Sequence, residues 1–394
     1  MKEKIAQLIS NNVEGIEMSD IIASIEIPPR PDMGDFAFPC FRLAKVLRKA
    51  PNMIAADIKE AIGDVDFIEK IDVAGAYLNF YIKKDVFVKT MIEAANTDDF
   101  GKSDIGEGQT ICIDYSSPNV AKNFHVGHLR TTIIGNSLYK IYSKLGYNVV
   151  RINHLGDWGT QFGKLIVAYK AWGSKEAVEK DGISELMKLY VKFHEEADKN
   201  PELVDEARAW FNKMENGDEE ALSIWQWFKD ISLVEYKRTY NLLGMDFDYY
   251  LGESFYRDKC QAVVDKVKAA GLLKEREGAM IVDLSDYDMA PCIITKKDGS
   301  SIYATRDLAA IFYRKDTYHF SKCLYVTGQE QKLHFAQVFK VVELLGNEWA
   351  KDQLVHIPYG LVSLEGAKLS TRSGNIIYAE DILKDAIAKS LEII

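Results

Sequence analysis

The chain has few cysteines, and no two of them are spaced as a pair. An odd, dispersed set without a CxxC spacing excludes a disulfide framework and is typical of buried free thiols in a reducing compartment. We therefore expect a cytoplasmic protein. The 394 residues contain five thiols, at Cys40, Cys112, Cys260, Cys292 and Cys323.

Long hydrophobic runs are also missing. No apolar stretch is long enough to span a membrane, and the first residues lack the apolar core of a signal peptide, so we expect no membrane partner.

Positive charge is in the minority, because 49 Lys and Arg residues stand against 59 Asp and Glu residues, for a net charge of −10. This balance argues against a basic surface over the whole chain but allows a local phosphate-binding patch.

Several familiar motifs for metals and nucleotides do not occur. There is neither HExxH nor a Cys/His cluster, so we expect no protein-ligated metal centre. The glycine-rich residues 154–163 (HLGDWGTQFG) are not GxGxxG, and Lys164 is not followed by the Ser or Thr of a P-loop. They predict instead a tight loop beyond the carboxyl end of a strand, where open α/β sheets bind ligands.

Residues 1–105 predict a small α+β domain. It opens with an amphipathic helix, contains a helix that Pro51 ends, and closes with a strand hairpin at residues 71–82. Residues 97–108 are polar and contain glycine, which predicts a linker. A basic stripe at helical spacing is either solvated surface or a phosphate contact, and it comprises Arg42, Lys45, Arg48 and Lys49.

Residues 106–394 predict an α/β domain. The pattern strand, helix, strand at residues 110–115, 131–145 and 147–153 is a βαβ unit, which predicts a doubly wound parallel sheet. Further strands of this sheet are expected at residues 292–295, 323–326 and 354–357. The predicted helix carries one apolar face, formed by Ile133, Ile134, Leu138, Ile141, Tyr142 and Leu145.

An insertion of about residues 172–290 separates the two parts of the predicted sheet. Residues 175–240 are charged and helical in pattern, and the aromatic residues 225–228 indicate helix packing rather than base stacking. After the insertion, Thr305 is expected to cap the helix at residues 306–311. Residues 366–374 are polar, cationic and bounded by glycines, which predicts a mobile loop that closes on a transferring group or is simply solvated.

Two histidines stand where the first strand gives way to the helix. His125 and His128 flank Gly127, at a helix N-terminus whose free N–H groups and dipole favour phosphate. Gly127 allows a base or a phosphate to approach the backbone, and imidazoles can donate hydrogen bonds to phosphate oxygens. Two other interpretations stay open, namely a metal-ligand pair and residues that merely begin a helix.

These segments together resemble the class I aminoacyl-tRNA synthetases, and most closely the arginyl-tRNA synthetases. Residues 125–128 (HVGH) resemble the HIGH motif, and residues 368–372 (KLSTR) resemble the KMSKS loop. Residues 117–122 (SPNVAK), 156–163 (GDWGTQFG) and 303–310 (YATRDLAA) resemble signatures of the arginyl family. The resemblance covers nearly the whole chain.

The resemblance implies a Rossmann-like catalytic domain with a helical insertion and an N-terminal domain that contacts the tRNA elbow through residues such as Arg42 and Lys45. It implies arginine–tRNA ligation. L-arginine and ATP with Mg²⁺ form arginyl-adenylate, the arginyl group passes to the terminal ribose of tRNA(Arg), at the 2′-hydroxyl, and tRNA is usually needed even for the first step. We expect a monomer.

The resemblance also assigns residues to roles. His125 and His128 would hold the triphosphate, Lys122 and Lys368 would neutralise its β- and γ-phosphates, and Gly127 would give adenine room. Ser370 and Arg372 would complete the ATP site. The arginine pocket would comprise Asp114, Asn119, Tyr303, Asp307 and Gln331, with Asp307 on the guanidinium; alternatively, Asp307 is a helix first-turn acid.

Two departures from the family pattern leave rival functions open. Thr371 replaces the second lysine of KMSKS, and Lys122 would compensate for it. The family's anticodon-binding domain is expected after residue 394, so the chain looks truncated. A non-charging tRNA-binding fragment or paralogue is therefore one alternative. Another is a different nucleotidyl transferase on the same sheet, against which the arginine-pocket residues argue.

Overall fold

The computed structural model describes most of the chain, namely residues 1–297, 301–360, 362–364, 367–368 and 377–394, with the backbone alone at residues 363–364 and 367–368. Contacts divide it into two units, Met1–Gly101 and Lys102–Ile394. The division falls inside the polar stretch 97–108. No helix of the described part is long and apolar enough to cross a bilayer.

The first unit packs helices against a three-stranded antiparallel sheet of order β1-β3-β2. The opening helix and the hairpin are therefore confirmed. Pro51 does not end the preceding helix; it is the first residue of the next one, where its missing N–H costs nothing. The elements are α1 (Lys2–Ser10), α2 (Met18–Ser24), β1 (Phe36–Pro39), α3 (Leu43–Leu47), α4 (Pro51–Ile62), β2 (Ile68–Ala74), β3 (Tyr77–Ile82) and α5 (Lys84–Ala95).

The second unit begins with the predicted βαβ arrangement and continues into the helical insertion. The elements up to its end are β4 (Thr110–Asp114), α6 (Val126–Lys144), β5 (Asn148–Asn153), α7 (Thr160–Trp172), α8 (Lys175–Asp181), α9 (Ile183–Ala197), α10 (Glu202–Glu215), α11 (Glu219–Leu242), β6 (Tyr249–Tyr250), α12 (Glu253–Tyr256), α13 (Cys260–Ala269), β7 (Leu273–Arg276) and β8 (Ala279–Val282).

The chain then returns to the sheet and ends in a helix. The remaining elements are β9 (Cys292–Thr295), α14 (Tyr303–Tyr318), β10 (Lys322–Gly328), α15 (Lys332–Leu344), α16 (Ala350–Gln353), β11 (Leu354–Tyr359), β12 (Ser363–Leu364), β13 (Ala367–Lys368) and α17 (Ala379–Ile393).

The central sheet is parallel and has five strands in the order β11-β10-β4-β5-β6. The doubly wound prediction is confirmed, with β4 in the middle. One strand comes from inside the predicted insertion, because β6 pairs with the end of β5 at Ile152 and Tyr250 neighbours Asn153. The insertion therefore returns to the sheet edge before it ends.

The prediction that residues 292–295 belong to the parallel sheet is wrong. β9 pairs antiparallel with β8 in a separate three-stranded sheet of order β7-β8-β9, with Ile293 opposite Ile281. A short apolar run of four residues shows that a strand exists but not which partner it pairs with.

The long helix α6 also differs from its prediction. It begins at Val126, five residues before the predicted start, and Ile133 and Ile141 on the predicted apolar face are exposed. Ile134, Leu138 and Tyr142 on the same face do pack against the core. Small and polar residues are buried beside them, because the ring of Tyr115 lies against Gly135 and a Cβ there would be 2.1 Å from its Cγ. The buried residues are Leu129, Thr131, Thr132, Gly135 and Asn136.

Thr305 is not the N-cap of its helix. α14 begins at Tyr303, so Thr305 occupies the third helical position, and its hydroxyl donates to the carbonyl oxygen of Ile294. The hydroxyl therefore ties the start of α14 to β9.

All five cysteines are free and buried. Cys40 belongs to the first unit, and the other four belong to the second. Cys112 and Cys323 are directly paired neighbours on β4 and β10, in the core of the parallel sheet.

Candidate active site

The two histidines fold back over the start of α6. The backbone N–H of Gly127 donates to Nδ1 of His125 at 3.1 Å, and the backbone N–H of His125 donates to Nδ1 of His128 at 3.3 Å. The two rings stack with their centroids 3.9 Å apart. Because both Nδ1 atoms accept, the ring protons belong on the Nε2 atoms, which can donate to an anion.

Burial and a nearby lysine keep both imidazoles neutral. Burial lowers the pKa of His125, and the charge of Lys122 lowers it further. Burial, together with His125 and Lys122, holds the pKa of His128 well below its usual value. At neutral pH the pair therefore offers N–H donors, while Lys122 and the positive end of the helix supply the charge.

Gly127 is required by the histidine geometry itself. A Cβ at this position would lie 2.9 Å from Cε1 and 3.0 Å from Nδ1 of His125. The glycine therefore lets the imidazole fold over the helix start, in addition to the room for adenine that the sequence predicts.

Both flanks of residues 361–376 return to this helix start. Nη1 of Arg130 donates to the carbonyl oxygen of Gly360 at 2.6 Å, and the N–H of Val126 donates to the carbonyl oxygen of Ile377 at 3.1 Å. The chain thus enters and leaves the stretch that contains the KMSKS-like segment beside the two histidines. Ser370 and Arg372 lie outside the described residues, as does the side chain of Lys368, whose backbone belongs to β13.

A buried ion pair lies at the carboxyl end of β4. Oδ2 of Asp114 is 2.7 Å from Nη2 of Arg314, whose side chain has no exposed surface, and Oδ1 accepts from the hydroxyl of Ser117 at 2.9 Å. Nη2 also lies 3.2 Å from Nδ1 of His154. Because a guanidinium only donates, that nitrogen is the acceptor, and His154 carries its proton on Nε2.

Two further carboxyl groups lie near α14. Asp307 accepts a hydrogen bond from Nε2 of His334 at 2.6 Å. Burial raises the pKa of Asp307, but the hydrogen bond from His334, together with the electrostatic effects of His334, His154 and Arg314, outweighs burial and brings it below its usual value. Burial also raises the pKa of Glu253 to about 8, despite the opposing charge of Arg306 at 3.7 Å. One carboxyl group is therefore ionised at neutral pH and the other is largely protonated.

His154 connects the two acidic groups. Burial lowers its pKa, and both Asp114 and Asp307 act on it in the opposite direction, so both carboxylates lie within electrostatic reach of one imidazole. Asp307 likewise raises the pKa of Glu253. Asp114 and Asp307, which are 193 positions apart in the sequence, therefore act on the same buried imidazole.

The other three residues predicted for the arginine pocket lie on three different elements of the second unit. Tyr303 begins α14 one turn before Asp307, and its side chain is 63% exposed. Gln331 is exposed just before α15, the helix that carries His334. Asn119 lies in the loop after β4, and a Cβ on Gly156 would be 2.1 Å from its Oδ1, so the glycine permits this close approach.

The chain is similar to known proteins over its whole length. The model for "tRNA synthetases class I (R), catalytic domain" matches residues 91–394, and that for "Arginyl tRNA synthetase N terminal domain" matches residues 1–82. Arginine–tRNA ligases from Alkaliphilus metalliredigens and Clostridium beijerinckii are 55% and 56% identical to the chain, over all of it and 70% of their own length. The chain belongs to the arginyl-tRNA synthetase family.

Solved arginyl-tRNA synthetases share the fold. The Thermus thermophilus enzyme matches the whole chain and 70% of its own, with a TM-score of 0.66 and 20% identity. The Plasmodium falciparum enzyme matches the whole chain and 69% of its own, with a TM-score of 0.63 and 23% identity.

Four residues that contact the candidate site of this arginyl-tRNA synthetase family member are absent from the sequence predictions, namely His154, Glu253, Arg314 and His334. Two of them leave a signal. His154 opens the motif at residues 154–163 directly after β5, and Arg314 follows Asp307 by seven positions, which is two helical turns. Glu253 and His334 reach the site only through tertiary packing.

The metal-pair interpretation of the histidines finds no further ligand. In the part of the chain that the structure describes, no group of three or more His, Cys, Asp or Glu side chains is arranged to hold a metal ion. Both Nδ1 atoms of the pair are also engaged by backbone N–H groups. The pair is suited to hydrogen bonding an anion.

Proposed function

We propose that this site performs the two-step ligation of arginine to tRNA. The carboxylate of L-arginine attacks the α-phosphorus of ATP, the bond to the leaving pyrophosphate breaks, and arginyl-adenylate forms. The arginyl group then passes to the 2′-hydroxyl of the 3′-terminal ribose of tRNA(Arg), and AMP leaves. The observation that carries the proposal is that Gly360 and Ile377, which flank the KMSKS-like segment, accept hydrogen bonds from Arg130 and Val126 at the start of α6, where the histidine pair lies.

The phosphate end of the site acts by positioning and charge stabilisation. The Nε2–H groups of His125 and His128 would hold the triphosphate, and Lys122 and Lys368 would neutralise its β- and γ-phosphates. The N–H groups of the helix start add to this field. Gly127, Ser370 and Arg372 would complete the ATP site, and Mg²⁺ arriving with ATP would supply further positive charge at the phosphates.

The amino-acid end must accept two cationic groups of L-arginine. Asp114 lies on the strand that leads into the phosphate site, so we assign it, with Asn119, to the α-ammonium next to the reacting carboxylate. Its pairing with Arg314 leaves less negative charge there than an unpaired carboxylate would have.

The guanidinium belongs at the other acidic group. Asp307 is ionised and can receive a planar fork of donors, and Glu253 would release its proton when a second cation arrives beside it. Tyr303 and Gln331 border this end of the pocket.

The proposal extends to the partner and the setting. Arg42 and Lys45 are exposed in the first unit and would contact the elbow of the tRNA. We expect the chain to act as a monomer in the cytoplasm, which agrees with five free, buried thiols. A non-charging tRNA-binding role is not favoured, because the relatives named as ligases are over half identical to the chain.

Pyrophosphate exchange with arginine, ATP and tRNA tests the arginine pocket. Asp307→Ala removes the guanidinium partner, so the KM for arginine should rise at least tenfold, since a hydrogen bond to a charged group contributes about 1.5–3 kcal/mol. Asp316→Ala, at an exposed acid on the same helix, is the matched control and should behave as the parent. An unchanged KM for arginine in Asp307→Ala would overturn the pocket assignment.

A further inference from the structure

The loop between β4 and α6 has an uncommon backbone. Ser116, Ser117 and Ala121 have φ angles of +71°, +45° and +60°. Residues other than glycine seldom adopt this left-handed region, so three of them in one short loop need outside contacts to hold them. The same loop carries Asn119 and Lys122.

One face of α11 supplies these contacts. Ser232, Tyr236 and Tyr240 are spaced four apart, so they lie on one side of the helix, and each is at most 1% exposed. The hydroxyl of Tyr240 lies 2.7 Å from Oγ of Ser116, and Oγ of Ser232 accepts from the N–H of Ala121 at 3.0 Å. Both ends of the strained loop are therefore tied to the insertion.

Tyr236 holds the functional part of the loop. Its hydroxyl lies 2.6 Å from the carbonyl oxygen of Asn119 and 2.7 Å from that of Lys122. A phenol has one proton, so the two carbonyls share a single donor between them. The ring also packs beside Phe124, with centroids 6.1 Å apart, and Phe124 in turn lies 5.3 Å from His128.

We propose that Tyr236 is a positioning residue for the adenylation step. Its hydroxyl fixes the backbone of Lys122, and this sets where the ammonium meets the triphosphate. Tyr236 itself touches no reacting group. The inference rests on the role proposed above for Lys122. It implies that α11, a helix of the insertion, helps to position a residue of the proposed ATP site.

Tyr236→Phe removes only the hydroxyl and keeps the packed ring. In pyrophosphate exchange with the whole chain, arginine, ATP and tRNA, we expect kcat to fall about tenfold and the thermal midpoint to change little. Tyr115→Phe is the matched control. That ring is fully buried in the same core, and its hydroxyl has no hydrogen-bond partner among the described residues, so kcat should stay within about twofold of the parent.

A double-mutant cycle separates positioning from general loosening. In a Lys122→Ala background, Tyr236→Phe should lower kcat by less than about threefold, because the group it positions is gone. An equal loss in both backgrounds, a parent-like Tyr236→Phe, or an equal loss in Tyr115→Phe would overturn the inference. Absence of arginine-dependent exchange in the parent would instead overturn the proposed function.

Discussion

The ion pair between Arg314 and Asp114 allows a sharp prediction about stability. Arg314→Met keeps much of the side-chain volume but leaves Asp114, which is 6% exposed, without its cation. Removing one partner of a buried pair costs about 3–5 kcal/mol. At roughly 2–4 °C per kcal/mol for a large domain, the midpoint of thermal unfolding should fall by roughly 10 °C.

A second substitution identifies the cause. Nε and Nη1 of Arg314 have no hydrogen-bond partner in the described part of the chain, so the guanidinium is only partly compensated for the loss of water. Replacing both charges, in Arg314→Met/Asp114→Asn, should therefore recover most of the lost stability, because a buried pair contributes little beyond an uncharged one.

Differential scanning calorimetry provides the measurement, and a partly exposed ion pair provides the control. Arg151 and Asp248 are 2.6 Å apart and 19% and 34% exposed, so Arg151→Met should cost no more than about 1 kcal/mol. The reasoning fails if Arg314→Met melts with the parent. It also fails if the double variant is as unstable as the single one.

Two further predictions concern the site. Gly127→Ala would place a Cβ 2.9 Å from the ring of His125 and displace that ring, so kcat in pyrophosphate exchange should fall about tenfold. The thermal midpoint should not drop, because alanine favours the helix more than glycine does. A fully active variant would show that the position of the ring is not needed. Burial raises the pKa of Glu253 from 4.5 to about 8, so folded chains hold a proton that unfolded chains release, and this group's contribution to stability is lost as pH rises from about 4.5 towards 8. In urea unfolding between pH 5 and 8, the free energy of unfolding of Glu253→Gln should therefore fall less with pH than that of the parent. If the two free energies change with pH in parallel, the assignment is contradicted.

Local patterns predict four of the five strands of the parallel sheet but not β6, which has only two residues. The runs at residues 110–115 and 147–153 contain several β-branched residues and are bounded by polar loops, and both form strands. The start of α6 was placed too late because an imidazole caps it, and His125 is not among the residues that usually signal a helix start. The partner of β9 was wrong because a four-residue run carries no information about pairing.

The residues of the candidate site also fall into those that local motifs predict and those that depend on tertiary packing. Residues within contiguous motifs, such as His125, His128 and Asp307, could be proposed from the sequence. The groups that fix motif residues in place come from other elements: Lys229 and Ser254 bind the carboxylate of Asp157, which belongs to the motif at residues 154–163, and Arg314 pairs with Asp114. Such contacts depend on how α11, α12 and α14 pack, and no short pattern encodes that packing.

The buried thiols can report how often each of the two units exposes its interior. All five are buried, and only Cys40 lies in the unit Met1–Gly101. A thiol-reactive probe can therefore label each unit only as fast as that unit exposes its interior. The labelling rate of each cysteine-containing peptide would give the opening rate of each unit separately, without adding a fluorophore or changing a residue.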